Sequence, residues 1–241
     1  MKKNMNNATH IEGYLYEHDL ALKESGPNSK NPGTEYIAGT VNIATNEAKD
    51  NIVPVHFTYV TATTKKGKPN ATFGILKDII DGKLGSIMGG NVDNPAKLRI
   101  DSAIGLNEWF TDRNGQEELV SVKRNEGGFV HTTNSLNDLE NNRNTFRVDM
   151  LITGVKHIDA DEERGLPEKA IVKGAIFNFR NELLPVEFST VHPGAISYFE
   201  GLEASSKNPV FTEVRGEQIS ETIVKRIEEA SAFGGVSVRE V

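Results

Sequence analysis

Apolar and polar residues alternate with period two along much of this chain, most clearly from Asn51 to Val60, NIVPVHFTYV. Val53, Val55, Phe57 and Tyr59 share one parity; Ile52, Pro54, His56 and Thr58 share the other. β-branched and aromatic residues at that spacing predict a strand with one face strongly buried. The pattern returns at Leu183 to Thr190, LLPVEFST, where Pro185-Val186-Glu187-Phe188 echoes Pro54-Val55-His56-Phe57. The flanking segments return too. YIAGTVNIATN (Tyr36 to Asn46) faces AIVKGAIFNFRN (Ala170 to Asn181), with Gly39 against Gly174, and VSVKRNEGGFV (Val120 to Val130) faces IVKRIEEASAFGG (Ile223 to Gly235). A motif followed by its own diverged copy in the same order predicts duplication of one small domain. Two unrelated β-segments of similar composition are the plainer alternative.

In chain order, residues 1–10 are polar and Asn-rich and predict a flexible tail. Strands are predicted at 11–23, 36–45 and 51–60, with a turn-rich loop at 24–34. Phe73, Leu76, Ile79 and Ile80 recur at helical spacing, which predicts a helix over 70–81 with Asn70 as its N-cap. Two further strands, 97–110 and 118–133, flank DRNGQ, whose Asn-Gly is a hairpin signal. The polar stretch 134–143 reads as a linker. Beyond it the plan repeats: strands at 144–158, 170–180 and 183–191, a short helix at 194–204, and a last pair of strands at 209–220 and from 221 onward, where 221–232 also fits a helix. Strand–strand–strand–helix–strand–strand is the order of an OB-fold. The predicted architecture is therefore mainly β: two tandem OB-fold-like five-stranded barrels, at 11–133 and 144–241, each with a short helix between strands three and four. A β-sandwich is the runner-up.

Composition narrows the chemistry. With 241 residues, each half is long enough for a modest core. There is no cysteine, so neither a disulfide nor a thiolate nucleophile exists, which fits a reducing cytoplasm. No apolar run approaches the length of a membrane span, and MKKNMNNATH lacks the apolar core of a signal peptide. The net charge of −7 gives no global attraction for nucleic acid, so such binding requires a local basic patch. No G-x-G-x-x-G follows a strand, Gly67-Lys68 lacks the upstream glycine of a P-loop, and the histidines show neither H-x-x-x-H nor H-E-x-x-H. Asp159, Asp161, Glu162 and Glu163 read as a solvated acidic turn. No catalytic residue, metal or cofactor is expected.

Binding chemistry is better represented. OB-folds bind oligonucleotides on the face of strands two and three and in adjoining loops. Single strands need cations for phosphates and aromatic rings for bases. Lys23 and Lys30 flank or lie in the first loop; Lys65, Lys66 and Lys68 crowd the loop after strand three. Tyr14, Tyr16 and His18 fall on one parity of strand one, and Lys123 and Arg124 lie on strand five. These ten residues are the candidate nucleic-acid site. Half-buried tyrosines and a soluble lysine turn are the plain alternatives. The corresponding loops of the second half are acidic or short, so the first half is expected to hold most of the strand. The second is left as a spacer or self-association surface, with a weak contact from Lys173 and Arg180 around Phe177 and Phe179.

TVNIAT and VPVHFTYVT (40–61), VSVKRNEGGFV (120–130), RNTFRVDMLITGV (143–155), GAIFNFRNELLPVEF (174–188) and FEGLEASSKNPVFTEVRGE (199–217) also resemble the single-stranded-DNA-binding proteins of tailed phages and prophages of Gram-positive bacteria. The resemblance covers almost the whole chain. It implies a non-catalytic protein of the host cytoplasm that coats and protects single-stranded DNA during phage replication or recombination, with replication or recombination proteins as partners. The chain stops at Val241, where members of that group run on, so a tail that recruits such partners is expected to be missing. The alternative class is an OB-type protein-interaction or virion assembly module that binds no nucleic acid; a hydrolase with a spatially assembled site is a distant third.

Overall fold

Strand β1, Asn7–His18, has neighbours in both halves of the chain, and the rest is laid out from it. A computed structural model describes residues 5–113, 116–163, 165–219, 226–230 and 236–240. Along β1, Asn7–Ile11 pair with β7, Thr9–Tyr14 with β5 and Tyr14–His18 with β3. The expected N-terminal tail therefore already contains strand from Asn7, and Thr9 is buried. Local composition misses this because the pairing partner, Phe146, lies far along the chain.

The first half contains β2 (Ala21–Glu24), β3 (Glu35–Ala44), β4 (Ile52–Thr61), α1 (Ala71–Ile80), β5 (Lys97–Arg113) and β6 (Gln116–Thr132). Strands β1, β3, β4, β6 and β5 close a ring back onto β1. Every contact in it is antiparallel except β4 with β6, where Val55 pairs with Asn125 and His56 with Glu126. The short β2 lies outside the ring, on the edge of β3. Inward-facing Ile37, Val41, Ile43, Val53, Val55, Phe57, Leu98 and Ile100 fill the interior. Each such side chain contributes about 1.5–3 kcal/mol of burial. Helix α1 adds Leu76 and Ile79 to the same core, at the predicted spacing. Asn70 is its N-cap residue, but its Nδ2 donates to the Thr61 carbonyl at 2.9 Å instead of capping the helix.

The second half contains β7 (Asn144–Ile158), β8 (Lys169–Phe177), β9 (Leu183–Thr190), α2 (Pro193–Gly201) and β10 (Val210–Glu217), with β10, β7, β8 and β9 side by side. Its core is Phe146, Val148, Met150, Ile152, Val172, Ile176, Val186 and Val214. Strands β11 (Arg226–Ala230) and β12 (Val236–Glu240) pair with each other as a separate two-stranded sheet, where the sequence also fits a helix over 221–232. The order strand–strand–strand–helix–strand is thus repeated. Among the described residues only the first half closes a ring, and no strand lies between β9 and β10. The two halves also share one hydrogen-bonded sheet, through β1 and β7.

The stretch 134–143 is packed rather than free. A 3-10 turn at Glu140–Asn142 leads to a buried Arg143, whose carbonyl accepts the Glu12 amide at 2.6 Å and whose Nε donates to the Asn137 carbonyl at 2.6 Å. The internal repeat carries a register change. Gly174 stands opposite Val186, whereas Val55, the counterpart of Val186, stands opposite Val41 rather than Gly39. The copies differ by two residues here, which preserves side-chain parity and therefore the core face.

Candidate nucleic-acid interface

Two β-bulges decide which side chains reach the outside of the ring. On β4 the register shifts between the Ile37–Val60 and Gly39–Phe57 pairs. The extra residue reverses side-chain parity. Tyr59 thereby leaves the buried face of Val53, Val55 and Phe57, on which the alternation places it, and is 47% exposed. Its ring lies 4.5 Å from that of Tyr36 at 34°, and its hydroxyl is 3.1 Å from the Ser25 Oγ. Tyr36 stands between Lys23 of β2 and Thr61 of β4. Immediately after Thr61 the chain enters the loop holding Lys65, Lys66 and Lys68. All three are exposed and make no ion pair among the described residues. A turn fixes the loop, with the Gly67 amide on the Thr64 carbonyl at 2.8 Å and the Thr64 amide on the Lys68 carbonyl at 2.8 Å. The outer face of β2, β3 and β4 therefore carries a tyrosine pair with Lys23 beside it, and the lysine loop follows directly after β4. Glu24 and Glu35 form the next pair after Lys23 and Tyr36, at the same end as the loop, so carboxylates border this face too.

The second bulge is on β1, between Leu15 and Glu17. It breaks the common face expected for Tyr14, Tyr16 and His18. His18 comes opposite Val41, a core residue of β3, and its Nδ1 is buried without a hydrogen-bond partner. Tyr14 is engaged elsewhere: its hydroxyl donates to Glu47 Oε2 at 2.8 Å, with Lys49 Nζ 5.6 Å from the ring centroid. Burial and the Glu47 carboxylate push its pKa up. Glu47 also accepts from Arg143 Nη1 at 2.7 Å, and that bond, with the Tyr14 one, holds its carboxyl below the usual range. Tyr16 is half-buried, and its carbonyl accepts the Met88 amide at 2.9 Å.

Lys123 and Arg124 sit at the root of the β5–β6 hairpin. Lys123 Nζ donates to the Glu187 carbonyl of β9 and lies 5.6 Å above the Phe188 ring, where desolvation lowers its pKa. It ties the two halves together. Arg124 Nε donates to Glu126 Oε1 at 2.6 Å, beside His56. Burial first, then the Arg124 charge, pushes the His56 pKa down. Lys30 is exposed in the loop before β3. Of the ten residues expected to bind, Lys23 stands opposite Tyr36, and Lys65, Lys66 and Lys68 lie in the loop that follows β4. Tyr14, Tyr16, His18 and Lys123 are held in other contacts. Tyr36 and Tyr59 are the members that sequence reasoning missed, Tyr59 because a bulge is invisible in a period-two pattern.

Beyond the ring, β5 and β6 continue as a two-stranded arm. Trp109 pairs with Val120 on one side of it, and Phe110 with Leu119 on the other. Trp109, Phe110, Leu119 and Val122 are all exposed. The Asn-Gly turn expected at its tip lies outside the described residues. In the second half, Phe179 is exposed under the Arg180 guanidinium, 5.1 Å from its centroid, and Lys173 is paired with Glu187 at 3.0 Å. Among the described residues no helix is long and apolar enough to cross a membrane.

These features define a mainly β protein with a closed five-stranded ring and an aromatic, lysine-flanked outer face. The family model described as YorF matches residues 6–240, and the chain belongs to the YorF family. No curated protein matches it.

Proposed function

We propose that this chain is a non-catalytic single-stranded-DNA-binding protein that coats single strands during phage DNA replication or recombination, in the host cytoplasm. The observation that carries the reading is the tyrosine pair Tyr36–Tyr59 on the outer face of the ring, with Lys23 beside it and the Lys65–Lys68 loop at its end. Rings that stack bases and cations that neutralise phosphates are the two requirements for holding a single strand without reading its sequence. The strand order β1-β3-β4-β6-β5, the parallel β4–β6 contact and the helix between β4 and β5 support an OB-type barrel, whose second and third strands, here β3 and β4, form the usual ligand face. The second half follows the same order through four strands and is read as a diverged second copy. The test is a gel shift with an oligo-dT strand against duplex of equal length. Retardation of the single strand alone is expected; equal retardation of both, or of neither, refutes the reading.

The second reading, a protein-interaction or assembly module, is favoured by one feature, the exposed apolar pairs of the β5–β6 arm. Glu108, Asp112, Glu117 and Glu118 accompany those residues, and carboxylates repel phosphates. The arm is therefore better suited to protein than to DNA.

A further inference from the structure

Among the described residues the second half is open where the first is closed. Strand β6 bridges β4 and β5, whereas among the described residues the counterparts β9 and β10 pair only with β8 and β7. Between them runs a groove of about 920 Å³, walled by core residues that include Val172, Phe188, Phe199 and Val214. Its polar features suit an extended backbone. Asn125, 5% exposed, and Gln218 also line it. On the β9 side the Glu187 carbonyl is met by Lys123 Nζ, a side chain standing where a strand's amide would stand.

The internal repeat names the occupant. Val122-Lys123-Arg124-Asn125-Glu126, the start of the segment of β6 that closes the first ring, recurs as Val224-Lys225-Arg226-Ile227-Glu228. We propose that the groove is the seat of the chain's own β11, Arg226–Ala230, entering parallel to β9 and antiparallel to β10. The register follows from the first ring. Val55 beside Asn125 and His56 beside Glu126 become Val186 beside Ile227 and Glu187 beside Glu228. Ile227 takes the place of Asn125 beside a core valine in either half, and Lys173 at 3.0 Å already balances Glu187. In this structure β11 pairs with β12 instead, so the strand has two alternative partners. The chain's own strand is favoured over that of a second copy because β10 ends at Glu217 and the next residues, Gln218 and Ile219, line the groove. A short tether of this kind holds β11 at millimolar effective concentration. The inference is independent of the nucleic-acid reading.

The chain has no cysteine, so a disulfide trap has no background. The double variant Val186→Cys with Ile227→Cys is oxidised in the full-length protein and run on a non-reducing gel. Val55→Cys with Asn125→Cys serves as the control for the observed pair. The proposal expects both pairs to close within the monomer, to similar extents. If the thiols introduced at Val186 and Ile227 stay reduced while the control pair closes, the proposal is overturned. A disulfide found only in dimers also overturns it and assigns the seat to a second copy. Hydrogen exchange on the unmodified protein keeps the test independent of variant folding: slow exchange along β9, comparable with β4, is expected, and exchange many-fold faster in β9 contradicts a filled seat.

Discussion

Replacing Tyr59 by alanine isolates the stacking contribution of the outer face. Its ring is 47% exposed and packs against Tyr36 at 4.5 Å, outside the core, so removing it leaves no cavity there. The stability cost is the lost ring pair, about 0.5–1.5 kcal/mol. Loss of one base-stacking ring costs about 1–3 kcal/mol of binding, which is roughly 5- to 150-fold in Kd. Stacking releases few ions, so the salt dependence should hold steady. Replacing Lys65, Lys66 and Lys68 together by alanine should do the reverse. Single-strand binding loses about 0.7 in the slope of log K against log salt for each phosphate no longer neutralised. Three lysines therefore flatten the slope by up to about 2. Fluorescence anisotropy of a labelled dT strand between about 50 and 200 mM salt measures both quantities. The reasoning is refuted by wild-type affinity for Tyr59→Ala together with an unchanged slope for the triple variant.

Further tests address the scaffold. Gly13→Ala builds a Cβ 2.1 Å from the Ala44 carbonyl oxygen, a backbone atom that has nowhere to go; urea unfolding should show a loss of about 1–3 kcal/mol or more. The carboxyl of Glu47 is held low by Arg143 and Tyr14, so its contribution to stability is present above its unfolded value near 4.5 and lost as pH falls through the lower folded value. Arg143→Met should shrink that acid-side loss in denaturant titrations from pH 6 down to about pH 3, and a titration identical to wild type refutes the link. His157 Nδ1 lies 2.6 Å from Glu200 Oε1, and its pKa is raised by that bond. An NMR titration should find it above the ordinary 6.5, with the associated stability present at low pH and lost as pH rises through the folded value.

What could be read from the sequence follows from how locally each feature is encoded. The strands at 51–60 and 183–190 were legible because their burial has period two, and α1 because Leu76 and Ile79 repeat at helical spacing. The place of the helix between strands could be counted from the sequence; of the two five-stranded rings expected, one is found among the described residues. The bulges could not be read there, since each inserts one residue into an otherwise regular alternation. One of them turned Tyr59 outward and another separated His18 from Tyr14. The strand at Asn7–Thr9 was hidden because its partner lies more than a hundred residues away. The lysine loop was visible as a charge cluster; the tyrosines that complete the face became neighbours only through β3–β4 pairing.

Ultraviolet cross-linking of a dT strand to the full-length protein, followed by mass mapping of the linked peptides, tests the central claim most directly. The account predicts links at Tyr36, Tyr59 and the neighbouring β3 and β4 residues. Links confined to the Phe177–Arg180 segment, or to the Trp109 arm, would contradict it.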